Sequence, residues 1–83
     1  MLASLFKLKP MQLVDLQTIA LVRSIKRLDF VMAHHFMVGE LEINAKYFEG
    51  YVNKVLWPNA FEKGYIYRAK NGRIELTEKG KTA

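Results

Sequence analysis

Asn71-Gly72 stands between two short runs, Tyr65 to Lys70 and Arg73 to Thr77, within the stretch GYIYRAKNGRIELTEKG. Asparagine followed by glycine favours a two-residue type I′ turn, whose two central residues both need positive φ, and such a turn fixes the register of the strands it joins. Lys70 then faces Arg73, Ala69 faces Ile74, Arg68 faces Glu75 and Tyr67 faces Leu76. That register places Tyr65, Tyr67, Ala69, Ile74 and Leu76 on one face, and Arg68, Lys70, Arg73, Glu75 and Thr77 on the other together with Ile66. A lone hairpin is marginal in water, so its apolar face has to lie on helices.

The helices are sought upstream. Pro10 suits a first helical position, and Met11 to Leu28 contains no Gly or Pro, so one helix is expected there. At 100° per residue Leu13, Val14, Ala20, Leu21, Ile25 and Leu28 form its apolar face, opposite Gln12, Asp15, Arg23, Lys26 and Arg27. Leu16 and Ile19 fall among the charges. Either the N-terminal cluster Leu2, Leu5 and Phe6 covers them within one chain, or a second copy does so in a homodimer. Asp29 is a candidate N-cap for a short helix from Phe30 to Val38 that Gly39 ends, although one longer bent helix is also compatible. Asn44 is a candidate N-cap for a third helix, residues 44–57, with Phe48, Val52, Val55 and Leu56 inward and Lys46, Tyr47, Gly50, Asn53, Lys54 and Trp57 outward. Pro58 is expected to break or kink that helix, with one further turn before Gly64.

With 83 residues the chain has room for one domain, and 51% hydrophobic residues are enough for a packed core. The absence of cysteine removes disulfides and thiolate chemistry. Lys7 and Lys9 interrupt the apolar N-terminal arm, residues 1–9, which argues against a secretory signal, and no run is long enough to span a membrane. A cytoplasmic chain without membrane contact is expected. The net charge is +5, divided as +3 over residues 1–30, −1 over 31–60 and +3 over 61–83. Cationic ends favour a polyanionic partner, through release of counter-ions.

Phe61-Glu62-Lys63-Gly64-Tyr65-Ile66 leads into the hairpin and Leu76-Thr77-Glu78-Lys79-Gly80 leads out of it. With three helical segments before them, these two pieces resemble the winged helix-turn-helix fold of MarR- and PadR-like transcription regulators. In those families the recognition helix ends in a hydrophobic-x-x-Gly-hydrophobic turn and the wing ends in Leu-Thr-x-x-Gly. The resemblance covers residues 44 to 81, about half of the chain. It implies an α+β fold, a small winged helix-turn-helix with three helices followed by a C-terminal β-hairpin wing, and double-stranded DNA as partner. The chain departs from the family at Pro58, in its short wing, and in ending at Ala83 before the usual dimerisation helices.

On this reading the 44–57 helix enters a major groove with Lys46, Tyr47, Asn53 and Lys54, where an asparagine amide can pair with adenine and a lysine reaches guanine or phosphate. Gly50 permits close approach. Arg68, Lys70, Asn71 and Arg73 grip backbone or minor groove. The plainer reading is a solvated charged face. A dimer would join through Leu2, Leu5, Phe6, Leu16 and Ile19; the same apolar surface would dock a partner if the domain were instead an interaction adaptor or inhibitor. His34 and His35 point about 100° apart and cannot chelate one ion, so no metal and no cofactor are expected. One histidine should face the core and the other solvent. Trp57, Tyr47 and Tyr51 are more simply core aromatics than a ligand box, and Thr77 caps a turn in which Gly80 takes positive φ. No catalytic constellation can be assembled, so an enzyme is not expected.

Overall fold

The computed structural model describes residues 10–83. The described residues form an α+β arrangement of four α-helices and a two-stranded antiparallel sheet. Pro10 opens α1 (Pro10–Arg27), as its fixed φ allows. The buried stripe of α1 runs from half-buried Val14 through Thr18, Leu21, Val22 and Ile25, whereas Leu13, Ala20 and Leu28 are exposed. The expected face was therefore rotated. Thr18 can lie in the core because its hydroxyl donates back to the Val14 carbonyl at 2.7 Å, and Ser24 does the same to Ala20 at 2.9 Å.

Asp29 separates α1 from α2 (Phe30–Met37), accepting from the Met32 amide at 2.8 Å as an N-cap. Gly39 does not end the helix. The chain continues through it as a π-helical segment, π1 (Val38–Asn44), and Asn44 closes that segment rather than opening another. The third helix starts later than its pattern suggested, because Lys46 (φ 63°) and Gly50 (φ 86°) are left-handed and interrupt residues 44–50. It begins at Tyr51 and runs through a second π-helical turn, π2 (Val52–Leu56), directly into α3 (Trp57–Glu62). Pro58 lies within it. The Trp57 amide bonds back five residues to Val52, and this widened turn makes room for the proline ring where an ordinary α-turn would clash.

A Schellman motif ends α3: Gly64 (φ 78°) bonds to Phe61, and Tyr65 to Ala60. Strands β1 (Ile66–Arg68) and β2 (Ile74–Leu76) then pair as Ile66↔Leu76, Tyr67↔Glu75 and Arg68↔Ile74. This is one residue away from the type I′ register. The turn is a three-residue loop, Lys70-Asn71-Gly72, in which Gly72 alone is left-handed, with Ala69 bonded to the Arg73 carbonyl at 2.7 Å and Gly72 to the Ala69 carbonyl at 2.9 Å. The shift exchanges the faces of β1 alone: Ile74 and Leu76 face inward as expected, while Ile66 (2% exposed) replaces Tyr67 (45%) on the buried side.

Beyond β2, Thr77 caps α4 (Glu78–Thr82) by accepting from the Gly80 amide at 3.0 Å, and its own hydroxyl donates to the Gly64 carbonyl at 2.5 Å. Gly80 is helical, not left-handed; it is glycine because it is buried against the Tyr65 carbonyl. The core gathers Leu21 and Ile25 of α1, Ala33 and Met37 of α2, Tyr51, Val52, Leu56 and Ala60 of the third helix, and Ile66 of β1. Each fully buried leucine or valine here contributes about 1.5–3 kcal/mol.

Candidate nucleic-acid interface

Glu42 in π1 fixes where the third helix begins. Its carboxylate accepts from the Gly50 amide at 2.7 Å and the Val52 amide at 3.0 Å, filling the place of an N-cap from eight to ten residues upstream. Those bonds, Val52's before Gly50's, hold the Glu42 carboxyl below its ordinary range despite an opposing desolvation; nearby His34 lowers it further. The other end of the helix is tied to α1, where Asn59 donates to Asp15 at 3.0 Å and to the Thr18 hydroxyl at 2.8 Å, with Lys63 3.6 Å from Asp15. Neither anchor has a signal in the local sequence.

Around this frame the expected DNA-contacting residues separate. Asn53 and Lys54 are exposed on the helix, and the Lys54 stem lies over Gly50, where an added Cβ would meet it at 3.3 Å. Lys46 is exposed but sits in the left-handed turn before the helix. Gly50 supplies the positive φ and the amide that Glu42 holds. Tyr47 belongs to the body of the protein: its ring stacks on Tyr51 at 4.5 Å and its hydroxyl accepts from Gln17 at 3.1 Å. Tyr51 donates to the Gln17 carbonyl, and burial, then the neighbouring Tyr47, raise its pKa, so it remains a donor at neutral pH. Trp57 likewise packs inward, stacked on Phe30 and His34 and donating to His34 Nδ1 at 3.1 Å. His34 is half-buried and His35 exposed.

At the hairpin, Lys70, Asn71 and Arg73 are exposed at the turn, with the Asn71 side chain accepting from the Arg73 amide at 3.0 Å. Arg68 is corrected. The observed register puts it on the inward side with Ile66 and Ile74, where its guanidinium lies 5.9 Å from the Phe61 ring and donates to the Gly72 carbonyl at 3.0 Å. It braces the turn while remaining exposed. Together with Arg73 and Ile74 it also lines a cleft against Asp29, Phe30 and Val31.

Lys46, Lys54, Lys70 and Arg73 form no salt bridge among the described residues; the ion pairs there are Lys63–Asp15 and Lys81–Glu78. Of the expected dimer contacts, Leu16 is exposed and Ile19 half-buried, while Leu2, Leu5 and Phe6 lie outside the described residues. Among the described residues no group of three or more His, Cys, Asp or Glu side chains is placed to hold a metal ion, and no helix is long and apolar enough to cross a membrane. The chain matches no protein-family model, no curated protein and no solved structure.

Proposed function

We propose that the protein is a small winged helix-turn-helix domain that binds duplex DNA and acts as a transcription regulator. The observation that carries this reading is a set of four exposed cations without ion-pair partners among the described residues, Lys46 and Lys54 around the start of the third helix and Lys70 and Arg73 at the turn of the hairpin that follows it. Asn53 beside Lys54 supplies an amide suited to adenine, and the cations engage phosphates. Arg68 supports the turn instead of reaching outward, and Tyr47 takes no part. The arrangement binds and does not catalyse.

Four neutralised phosphates per copy give a log–log salt slope of about −3.6. Fluorescence anisotropy with a mixed-sequence duplex at low and moderate salt tests this: affinity should fall steeply with salt, and Lys70→Glu with Arg73→Glu should weaken it for every duplex. Absence of duplex binding, or a flat salt response, overturns the reading. It would leave an interaction module docking through the N-terminal arm with the exposed Leu16 and half-buried Ile19 of α1.

A further inference from the structure

Several exposed apolar side chains gather on α2 and π1, uncovered by any other of the described residues. Val31 (65% exposed), Met32 (53%), Phe36 (44%) and Ile43 (70%) follow one another at helical spacing, and Leu28 flanks them. Ala33 and Met37 occupy the buried side of α2, so these outer side chains are not surplus core. Gly39 lies on the same surface, in a shallow cleft with His35, Phe36, Glu40 and Asn44. Nothing among the described residues accounts for this glycine. Its φ is not left-handed, and a Cβ built on it meets none of them within 4 Å beyond its own helical turn, yet it stands inside a continuous helical stretch where glycine is the least favourable residue after proline. A missing Cβ in open space is useful only to something that approaches from outside.

We infer that this surface is a homodimer interface in which the α2–π1 stretches of two copies pair antiparallel about a two-fold axis between His35 and Phe36. An isologous interface must complement itself, and this one does. Antiparallel pairing sets Met32 of one copy over Gly39 of the other, a long side chain against an absent one, and Leu28 against Ile43. Charge allows a second copy. From Leu28 to Ala45 the sequence has no Lys or Arg, and Arg68 and Arg73 approach the surface at its Val31 edge, away from the axis. Arg27 at one end comes within a turn of the other copy's Glu40. Five side chains still exposing on the order of 100 Å² each give about 1,000 Å² over two copies, the lower bound for a specific interface. The inference is independent of DNA binding. It also locates the dimer on α2 rather than on Leu16 and Ile19 of α1.

Light scattering and sedimentation equilibrium on the full chain provide the test. The unaltered protein should be a dimer at micromolar concentration. Phe36→Glu and Gly39→Leu should each weaken dimerisation at least tenfold with helical circular dichroism retained, since neither side chain fills space inside the monomer. Because the chain has no cysteine, His35→Cys reports the axis directly: mild oxidation should yield a disulfide-linked dimer, whereas Glu75→Cys should not. A protein monomeric throughout overturns the inference, including the case in which residues 1–9 of the same chain cover the surface. So does a dimer that survives both Phe36→Glu and Gly39→Leu, whether it is lost on deletion of residues 2–9 or by Leu16→Glu.

Discussion

Gly80→Ala probes how the hairpin is fastened to the domain. A Cβ at position 80 would lie 2.1 Å from the Tyr65 carbonyl oxygen, 3.0 Å from its carbon and 3.2 Å from Leu76 Cδ2. The first contact is with backbone and cannot be relieved by a rotamer change, so α4 or the start of β1 has to move by about 1 Å, an overpacking that costs about 1–3 kcal/mol. The same carbonyl accepts the Thr77 amide at 3.0 Å, and distorting that bond costs about 1 kcal/mol more. Alanine regains about 1 kcal/mol of helix propensity. The net loss is therefore about 1–3 kcal/mol, a lowering of Tm by roughly 4–24 °C for a domain of this size. Urea and thermal denaturation followed by circular dichroism measure it, with Lys81→Ala on the exposed side of α4 as a control expected within about 0.5 kcal/mol of the parent. Gly80→Ala matching that control would refute the docking of α4 against Tyr65, and with it the explanation for this glycine.

Further outcomes follow from the other anchors. Glu42 has a folded pKa below its unfolded one, so the stability it contributes is present above the ordinary carboxylate range and is lost as pH falls through the folded value; below about pH 4.3 the parent should lose stability more steeply than Glu42→Gln, and identical acid titrations would remove Glu42 as the cap of the third helix. Asn59→Ala deletes the bonds to Asp15 and Thr18 and should cost about 1–2 kcal/mol in urea melts, with no loss meaning that α1 and α3 are held by apolar contact alone. In the DNA titration Arg73→Ala should reduce the salt slope by about 1. Arg68→Ala, which removes the Phe61 and Gly72 contacts, should chiefly lower Tm, and the reverse ranking would restore the register expected from the Asn-Gly turn.

The sequence by itself determined the features made by neighbours along the chain. Pro10 opens α1, Asp29 caps α2, Thr77 caps α4, Gly64 closes α3 and a hairpin turns near Asn71-Gly72, because each depends on groups within about five residues of one another. Tertiary structure decided the places where two local solutions were close in energy. Asn71-Gly72 serves a two-residue or a three-residue turn almost equally well, and the burial of Ile66 in place of Tyr67 on the helices chose the latter, which turned Arg68 inward. Asn44 looked like a cap because asparagine commonly is one, but two backbone amides bound by Glu42 placed the helix start seven residues later. Pro58 and Gly80 show the same division: local rules foresaw a break and a left-handed residue, whereas a widened turn and a backbone contact from across the fold made both helical. Burial and hydrogen bonds between distant segments outweigh propensities of about 1 kcal/mol per residue, and they exist only once the chain has closed on itself.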